Sequence, residues 1–177
     1  HVTLVAGPVQ LQAPSGVARI DVISASEMTE AILSRSGDAD IFIAAAAVVD
    51  YAPDEKVENK IKKDAPQMRL NLVKTTDILA TVAKQDSAPF CVGFAAETDD
   101  LEAYAKAKLK HKSLDMIAAN WVGRKDSGFN SELNALSVYW DQGEQQLGSM
   151  PKPDLARELV TLIAKRYHEK NTAEITG

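Results

Sequence analysis

The 177-residue chain has one cysteine, Cys91, and only three histidines, His1, His111 and His168, scattered along its length. A single cysteine excludes internal disulfides and every zinc or redox site built on a Cys-x-x-Cys pair. Three dispersed histidines supply no His-rich metal cage. No apolar run reaches the length of a membrane span, and the start lacks a charged–apolar–small leader pattern. Mean hydropathy is −0.18. A formal net charge of −5 argues against nucleic acid as a partner. The usual nucleotide and hydrolase signatures are missing too: there is no G-x-G-x-x-G, no G-x-x-x-x-G-K-[ST] and no G-x-S-x-G. What is left is a soluble, cytoplasmic chain of one-domain length. Its chemistry must run on lysines, carboxylates, amides and backbone.

What is present is an alternation of short apolar runs with amphipathic stretches. Strands are expected at 2–6, stopped by Gly7-Pro8, and at 18–23. Ser24 or Ser26 is placed to cap a helix reaching about residue 34, with Glu27 and Glu30 in its first turns. Residues 40–50 show no alternation and predict a strand covered on both faces. Residues 68–73 alternate and predict a half-exposed strand, after which Thr75 or Thr76 caps a helix over 77–84. A buried strand at 90–94, a helix over 98–112 and a strand at 115–119 follow. Segments 134–140 and 145–147, split by Asp141-Gln142-Gly143, predict a hairpin. A closing helix is expected over 153–168, with a frayed tail beyond it. This order implies an α/β fold, a Rossmann-like, mostly parallel sheet flanked by helices. The strand at 68–73 and the hairpin break the parallel rule and suggest a small antiparallel extension used for dimerisation.

Four segments carry candidate chemistry. In Ala44-Ala45-Ala46-Ala47-Val48-Val49-Asp50-Tyr51, small residues at a strand's carboxyl end let a ligand approach the backbone, and Asp50 can meet a ribose hydroxyl or a metal-bound phosphate. The bland reading is an alanine-rich strand packed against helices. Residues 52–66 have no core periodicity and carry Lys56, Lys60, Lys62 and Lys63. They form either a lysine-bearing flap over a polyphosphate or a solvated charge run. On the helix after Thr98, Leu101, Tyr104, Ala105 and Leu109 mark an inward stripe at about 100° per residue. Lys108 and Lys112 fall inside that stripe, whereas Lys106 and Lys110 lie opposite. Lysines on an apolar face call for an anion, although snorkelling past the rim is the alternative. Gly93 would allow close backbone approach and Phe94 could flank a base, unless Phe94 is plain core. Cys91 reads as a small core hydrophobe.

Six blocks then line up. AAAAVVDY, NKIKK, VKTTDIL, VGFAAET with EAYAKAKLKHK, IAAN and GFNSELNAL occur in this order. Together they resemble the phosphopantothenate–cysteine ligase (phosphopantothenoylcysteine synthetase) domain of coenzyme A biosynthesis, over residues 2–169. The resemblance implies that the carboxylate of 4′-phosphopantothenate attacks the α-phosphate of CTP, releasing pyrophosphate. The amine of L-cysteine then displaces CMP. It implies nucleotide contacts at Ala44, Ala45, Ala46, Asp50, Lys60, Thr75, Thr76, Asp77, Ile78, Phe94, Lys108 and Lys112. Lys60 matches the flap lysine tied to catalysis, and Lys108 and Lys112 match triphosphate ligands. Mg²⁺ would arrive on the triphosphate, so no residue is assigned as a metal ligand. Asn120, Phe129 and Asn130 are the candidates for phosphopantothenate contact and can act across a dimer interface. The family further implies a homodimer or higher oligomer and fusion to a flavin-dependent decarboxylase domain.

Two departures stand out. The family commonly reads Lys-Asn-Pro-Asp where this chain has Lys74-Thr75-Thr76-Asp77. Its first strand, glycine-bearing loop and Asn-x-Ser-Ser-Gly segment have no counterpart, so residues 1–177 are expected to be one ligase domain, incomplete at its N-terminus. The competing readings are a Rossmann-type NAD(P)-dependent oxidoreductase and a non-catalytic nucleotide-binding module.

Overall fold

The computed structural model describes residues 1–55, 59, 61, 67–122 and 131–176, with side chains described through residue 172. In chain order the elements are β1 (Thr3–Ala6), β2 (Ala18–Asp21), α1 (Ala25–Ser36), β3 (Ile41–Ala44), β4 (Tyr51–Pro53), β5 (Leu72–Lys74) and α2 (Ile78–Val82). They continue as β6 (Phe90–Glu97), α3 (Leu101–His111), β7 (Met116–Trp121), β8 (Leu133–Trp140), β9 (Gly143–Pro151) and α4 (Lys152–Thr176). Two compact units result: His1–Ser34 with Ala46–Ile78, and Arg35–Ala45 with Leu79–Gly177.

In the first unit β1 pairs with β2 in parallel, from Thr3↔Ala18 to Ala6↔Asp21. α1 begins where its sequence says it should. The Ser24 hydroxyl accepts the Glu27 amide at 3.2 Å, and the Glu27 carboxylate reaches back to the Ile23 amide at 2.9 Å. Two of the amides at the helix start are thereby satisfied, an arrangement close to a capping box. β4 and β5 form a short antiparallel ribbon, Tyr51↔Lys74 to Pro53↔Leu72. The expected strand at 68–73 is therefore mostly not one: only 72–74 pair, and Met68, Leu70 and Leu72 are all exposed. Alternation had no core to face.

The second unit holds a five-stranded sheet in the order β3-β6-β7-β8-β9. β3, β6 and β7 are parallel; β8 and β9 continue the sheet antiparallel. One face carries Phe90, Val92, Met116, Ala118, Leu136, Val138 and Leu147 against Leu155, Leu159, Leu162 and Ile163 of α4. The other carries Ala95, Ile117, Ala119 and Tyr139 against Leu101 and Ala105 of α3. Each Val, Leu, Ile, Met or Phe among these contributes about 1.5–3 kcal/mol on full burial, so both helices are held by their inward faces. α3 ends in a Schellman motif: the Leu114 amide donates to the Leu109 carbonyl (2.9 Å) and the Ser113 amide to the Lys110 carbonyl (3.2 Å). Ser113 takes the left-handed position at φ 57°, and Leu109 and Leu114 both pack on the α3-side core.

Several boundaries differ from expectation. The 40–50 run supplies only a four-residue strand, β3, and positions 45–47 are exposed. Alanine has little β-propensity, so an alanine run does not extend a strand. β6 runs to Glu97 rather than stopping at Phe94, and α3 starts at Leu101 rather than Thr98. The 98–100 turn ends on Asp100 in the left-handed region, at φ 38°. α4 continues to Thr176 rather than ending near residue 168: its one proline, Pro153, lies in the first turn, where it is tolerated, and no glycine occurs before Gly177. Among the described residues no helix is long and apolar enough to cross a membrane.

Candidate functional site

Because β3, β6 and β7 are parallel, their carboxyl ends share one edge, the place where open α/β sheets take ligands. Register places Ala44 beside Gly93, Ala96 beside Asn120 and Glu97 beside Trp121. Side chains alternate along β6. Phe90 and Val92 join the α4-side core and Ala95 joins the α3-side core, so Glu97, two residues on from Ala95, faces α3. There Lys108 meets it, ammonium to carboxylate at 2.6 Å, with the two side chains 45% and 15% exposed. A helical side chain leans toward its own N-terminus. That lets Lys108, in the last turn of α3, reach back to the end of β6. Lys112 follows one turn later as the helix C-cap, half-buried, with its amide donating to the Lys108 carbonyl at 3.0 Å. Phe94, on the other face of β6, is 36% exposed and is not plain core. The Asn120 side-chain amide donates to the Trp121 carbonyl at 3.3 Å.

Three expectations for this unit need correction. Gly93 does not open the backbone to a ligand: a Cβ there would lie 2.8 Å from Leu114 and 2.9 Å from Leu79, so the space is already packed. Tyr104 is exposed rather than part of the inward stripe. Lys106 does not point away from the sheet but ties α3 to the hairpin, pairing with Glu102 at 2.6 Å and Glu144 at 3.2 Å over the Tyr139 ring. Those hydrogen bonds, Glu102's first, raise its pKa. Cys91 is the small core hydrophobe expected. Burial, then the Asp115 charge, pushes its thiol up to about 11, with Lys170 opposing.

The remaining described candidates belong to the first unit. Thr75 clamps the base of the β4–β5 ribbon: its amide donates to the Asp50 carbonyl at 2.9 Å and its hydroxyl to the Val49 carbonyl at 2.5 Å. The Thr75 hydroxyl is thus spent on Val49 rather than on capping α2. Ala46, Asp50, Thr76 and Asp77 are exposed, and the Ile78 side chain is buried. Ala45, in the second unit, is exposed beyond the end of β3. Lys60, Phe129 and Asn130, with Lys56, Lys62 and Lys63, lie outside the described residues. Glu97 was missed by sequence reasoning. Its signal was parity with Ala95 along β6, which sets it on the α3 face. Among the described residues no three His, Cys, Asp or Glu side chains converge as a metal cage.

A parallel sheet edge bearing a lysine–carboxylate pair and an exposed aromatic defines an α/β domain with a candidate ligand-binding edge. The chain belongs to the family described as the DNA/pantothenate metabolism flavoprotein C-terminal domain, matched over residues 1–167. Among its relatives is the coenzyme A biosynthesis bifunctional protein CoaBC of Vibrio vulnificus, 48% identical over 166 residues, 92% of this chain and 41% of that protein. CoaBC of Escherichia coli is 44% identical over 175 residues, 97% of this chain and 43% of that protein. The chain thus spans 41–43% of the length of these curated relatives. A crystal structure of the C-terminal domain of a CoaBC matches with a TM-score of 0.78 at 31% identity, over 95% of this chain and 75% of that one. A Cab2 variant in complex with phosphopantothenate-cysteine shares the fold, with a TM-score of 0.65 at 15% identity, over 91% of this chain and 56% of that one. The mostly parallel, Rossmann-like α/β architecture expected from the sequence is the one observed.

Proposed function

We propose that the chain is the phosphopantothenate–cysteine ligase part of a bifunctional coenzyme A biosynthesis enzyme, acting in the cytoplasm with CTP·Mg²⁺ as the nucleotide substrate. A carboxylate oxygen of 4′-phosphopantothenate attacks the α-phosphorus, the bond to the β-phosphate breaks, and pyrophosphate leaves with the electron pair. The amine of L-cysteine then attacks the acyl carbon, the bond to CMP breaks, and the amine proton passes to solvent. Negative charge grows on the leaving pyrophosphate, and a fixed ammonium is what lowers that barrier. The observation that carries the reading is Lys108, half-exposed and held 2.6 Å from Glu97 at the end of β6. Its support is family membership and the coenzyme A role named for the relatives.

The other assignments follow the same reading. Lys112 adds a second cation one turn along α3, Phe94 flanks the base, and Asp50 reads the ribose. Thr75 to Ile78 offer backbone groups, and Ala44 to Ala46 let the nucleotide lie close to the chain. Lys60 covers the triphosphate from the flap; Asn120, Phe129 and Asn130 contact phosphopantothenate. Mg²⁺ is held by phosphate oxygens and water. A homodimer or higher oligomer, using the exposed apolar ribbon of Tyr51, Leu72 and Val73, and a fused flavin-dependent decarboxylase domain complete the picture.

The test is pyrophosphate release from CTP against ATP, with 4′-phosphopantothenate and cysteine supplied. Release that depends on CTP and on phosphopantothenate is expected. Lys108→Gln is expected to lower it at least about tenfold and to shrink the rise in melting temperature produced by CTP·Mg²⁺. Absence of nucleotide-dependent release, or stabilisation by NADPH instead of CTP, overturns the reading.

A further inference from the structure

We propose that Glu97 is a positioning residue for Lys108, an inference that rests on the nucleotide reading of Lys108 given above. Lysine is a point charge on a flexible four-carbon stem, so an unrestrained ammonium spends most of its time away from any one phosphate oxygen. Glu97 removes that freedom. It lies at the last position of β6, a strand paired with β7 through Glu97↔Trp121 and anchored further by the Val122 amide donating to the Glu97 carbonyl at 3.0 Å. The carboxylate is therefore carried by rigid backbone, and the ammonium 2.6 Å away takes its position from the sheet rather than from the helix end.

Burial decides what happens when a polyphosphate arrives. The Glu97 side chain is only 15% exposed. Lys108 cannot abandon it for a phosphate without leaving a largely buried carboxylate uncompensated, which is costly. An ammonium has three N–H donors. One goes to Oε1 of Glu97, and among the described residues the other two have no hydrogen-bond partner. Lys108 bridges: one donor stays on Glu97 while the others turn to phosphate oxygens. The carboxylate aims the cation, at the price of some repulsion toward the phosphates themselves.

These two effects oppose each other in ground-state binding but not in turnover, where alignment on the leaving group matters most. Glu97→Gln keeps the shape and one acceptor oxygen while removing the charge. It is expected to lower kcat for CTP-dependent pyrophosphate release about tenfold and to change the CTP·Mg²⁺ dissociation constant less than about threefold. The decisive measurement is a double-mutant cycle: Glu97→Gln should have no further effect on kcat in a Lys108→Gln background. Equal losses from Glu97→Gln in both backgrounds, or an unchanged kcat in the single variant, overturn the proposal alone. Lys108→Gln without effect on nucleotide binding and turnover overturns the reading of Lys108 itself, and the proposal falls with it. Melting temperatures of all four proteins, measured without nucleotide, separate lost alignment from lost folding.

Discussion

Two lysine–carboxylate pairs sit at opposite ends of the same strands and look alike. Lys108–Glu97, at the carboxyl end of β6, measures 2.6 Å with side chains 45% and 15% exposed. Lys170–Asp115, at the amino end, measures 2.8 Å with side chains 45% and 18% exposed. Their wiring differs. Asp115 is used at both oxygens, one taken by Lys170 and the other by the Cys91 amide at 2.7 Å, while its own amide donates to the Cys91 carbonyl at 3.0 Å. That closed loop locks the approach to β7 against β6 and ties α4 to both. Glu97 is held to Lys108 through one oxygen, and among the described residues its second oxygen has no hydrogen-bond partner. Distance and burial therefore do not separate a structural pair from one available for chemistry. The partner of the second oxygen does.

The largest expected effect breaks the amino-end pair. Asp115→Ala removes the acceptor of the Cys91 amide, on a residue 1% exposed. An orphaned buried donor costs about 1–3 kcal/mol, so urea unfolding should show a loss of about 2 kcal/mol. CTP-dependent pyrophosphate release per folded molecule should stay the same. A comparable loss of stability from removing Glu97 would erase the distinction between the ends.

The next effect sharpens the comparison through pH. The Cys91 thiol, raised from 9.0 to about 11 by burial and then by Asp115, keeps its proton in the folded state where the unfolded chain has lost it. A folded-state pKa raised in this way contributes stability that is intact below pH 9.0 and is lost as pH rises toward about 11. By pH 10 the loss is on the order of 1 kcal/mol. Urea midpoints followed from pH 8 to 10.5 should fall in the wild type and fall less steeply in Cys91→Ala, compared each with its own value at pH 8. Native protein at pH 8 should resist iodoacetamide, and Asp115→Ala should label faster as the lattice around the thiol loosens.

How much of this was legible beforehand can be traced residue by residue. The start of α1 was readable to within two residues, since Ser24 and Ser26 both marked it; the structure uses Ser24, whose three-residue spacing from Glu27 suits the helix period. The β6–α3–β7 succession was readable from patterning. The wheel put Lys108 inside the inward stripe and pointed to a bound ligand; the structure instead leaves its side chain 45% exposed and pairs it with Glu97 of the same chain. Gly93 was misread because its neighbours, Leu79 and Leu114, are distant in sequence and local pattern holds no trace of them. The alanine run after β3 was misread for the opposite reason. Hydrophobicity without β-branching marks burial of uncertain shape, and here positions 45–47 are not even buried. Lys106 went astray because the wheel described α3 against the sheet core alone and ignored the hairpin carrying Glu144.

The smallest expected effect concerns Glu97 itself. Glu97→Ala should change unfolding stability by less than about 1 kcal/mol. Lys108 is 45% exposed, so the freed ammonium rehydrates, and among the described residues no buried amide loses an acceptor. Removing a mostly buried carboxylate also removes its desolvation cost. The reverse truncation is not symmetric. Lys108→Ala leaves the 15%-exposed Glu97 without its cation and should destabilise more than Glu97→Ala. Urea unfolding of the two single variants checks the order. If Glu97→Ala proved the worse of the two, the carboxylate would be holding the fold together as Asp115 does. The carboxyl-end pair would then be a second structural lock rather than a cation aimed at a ligand.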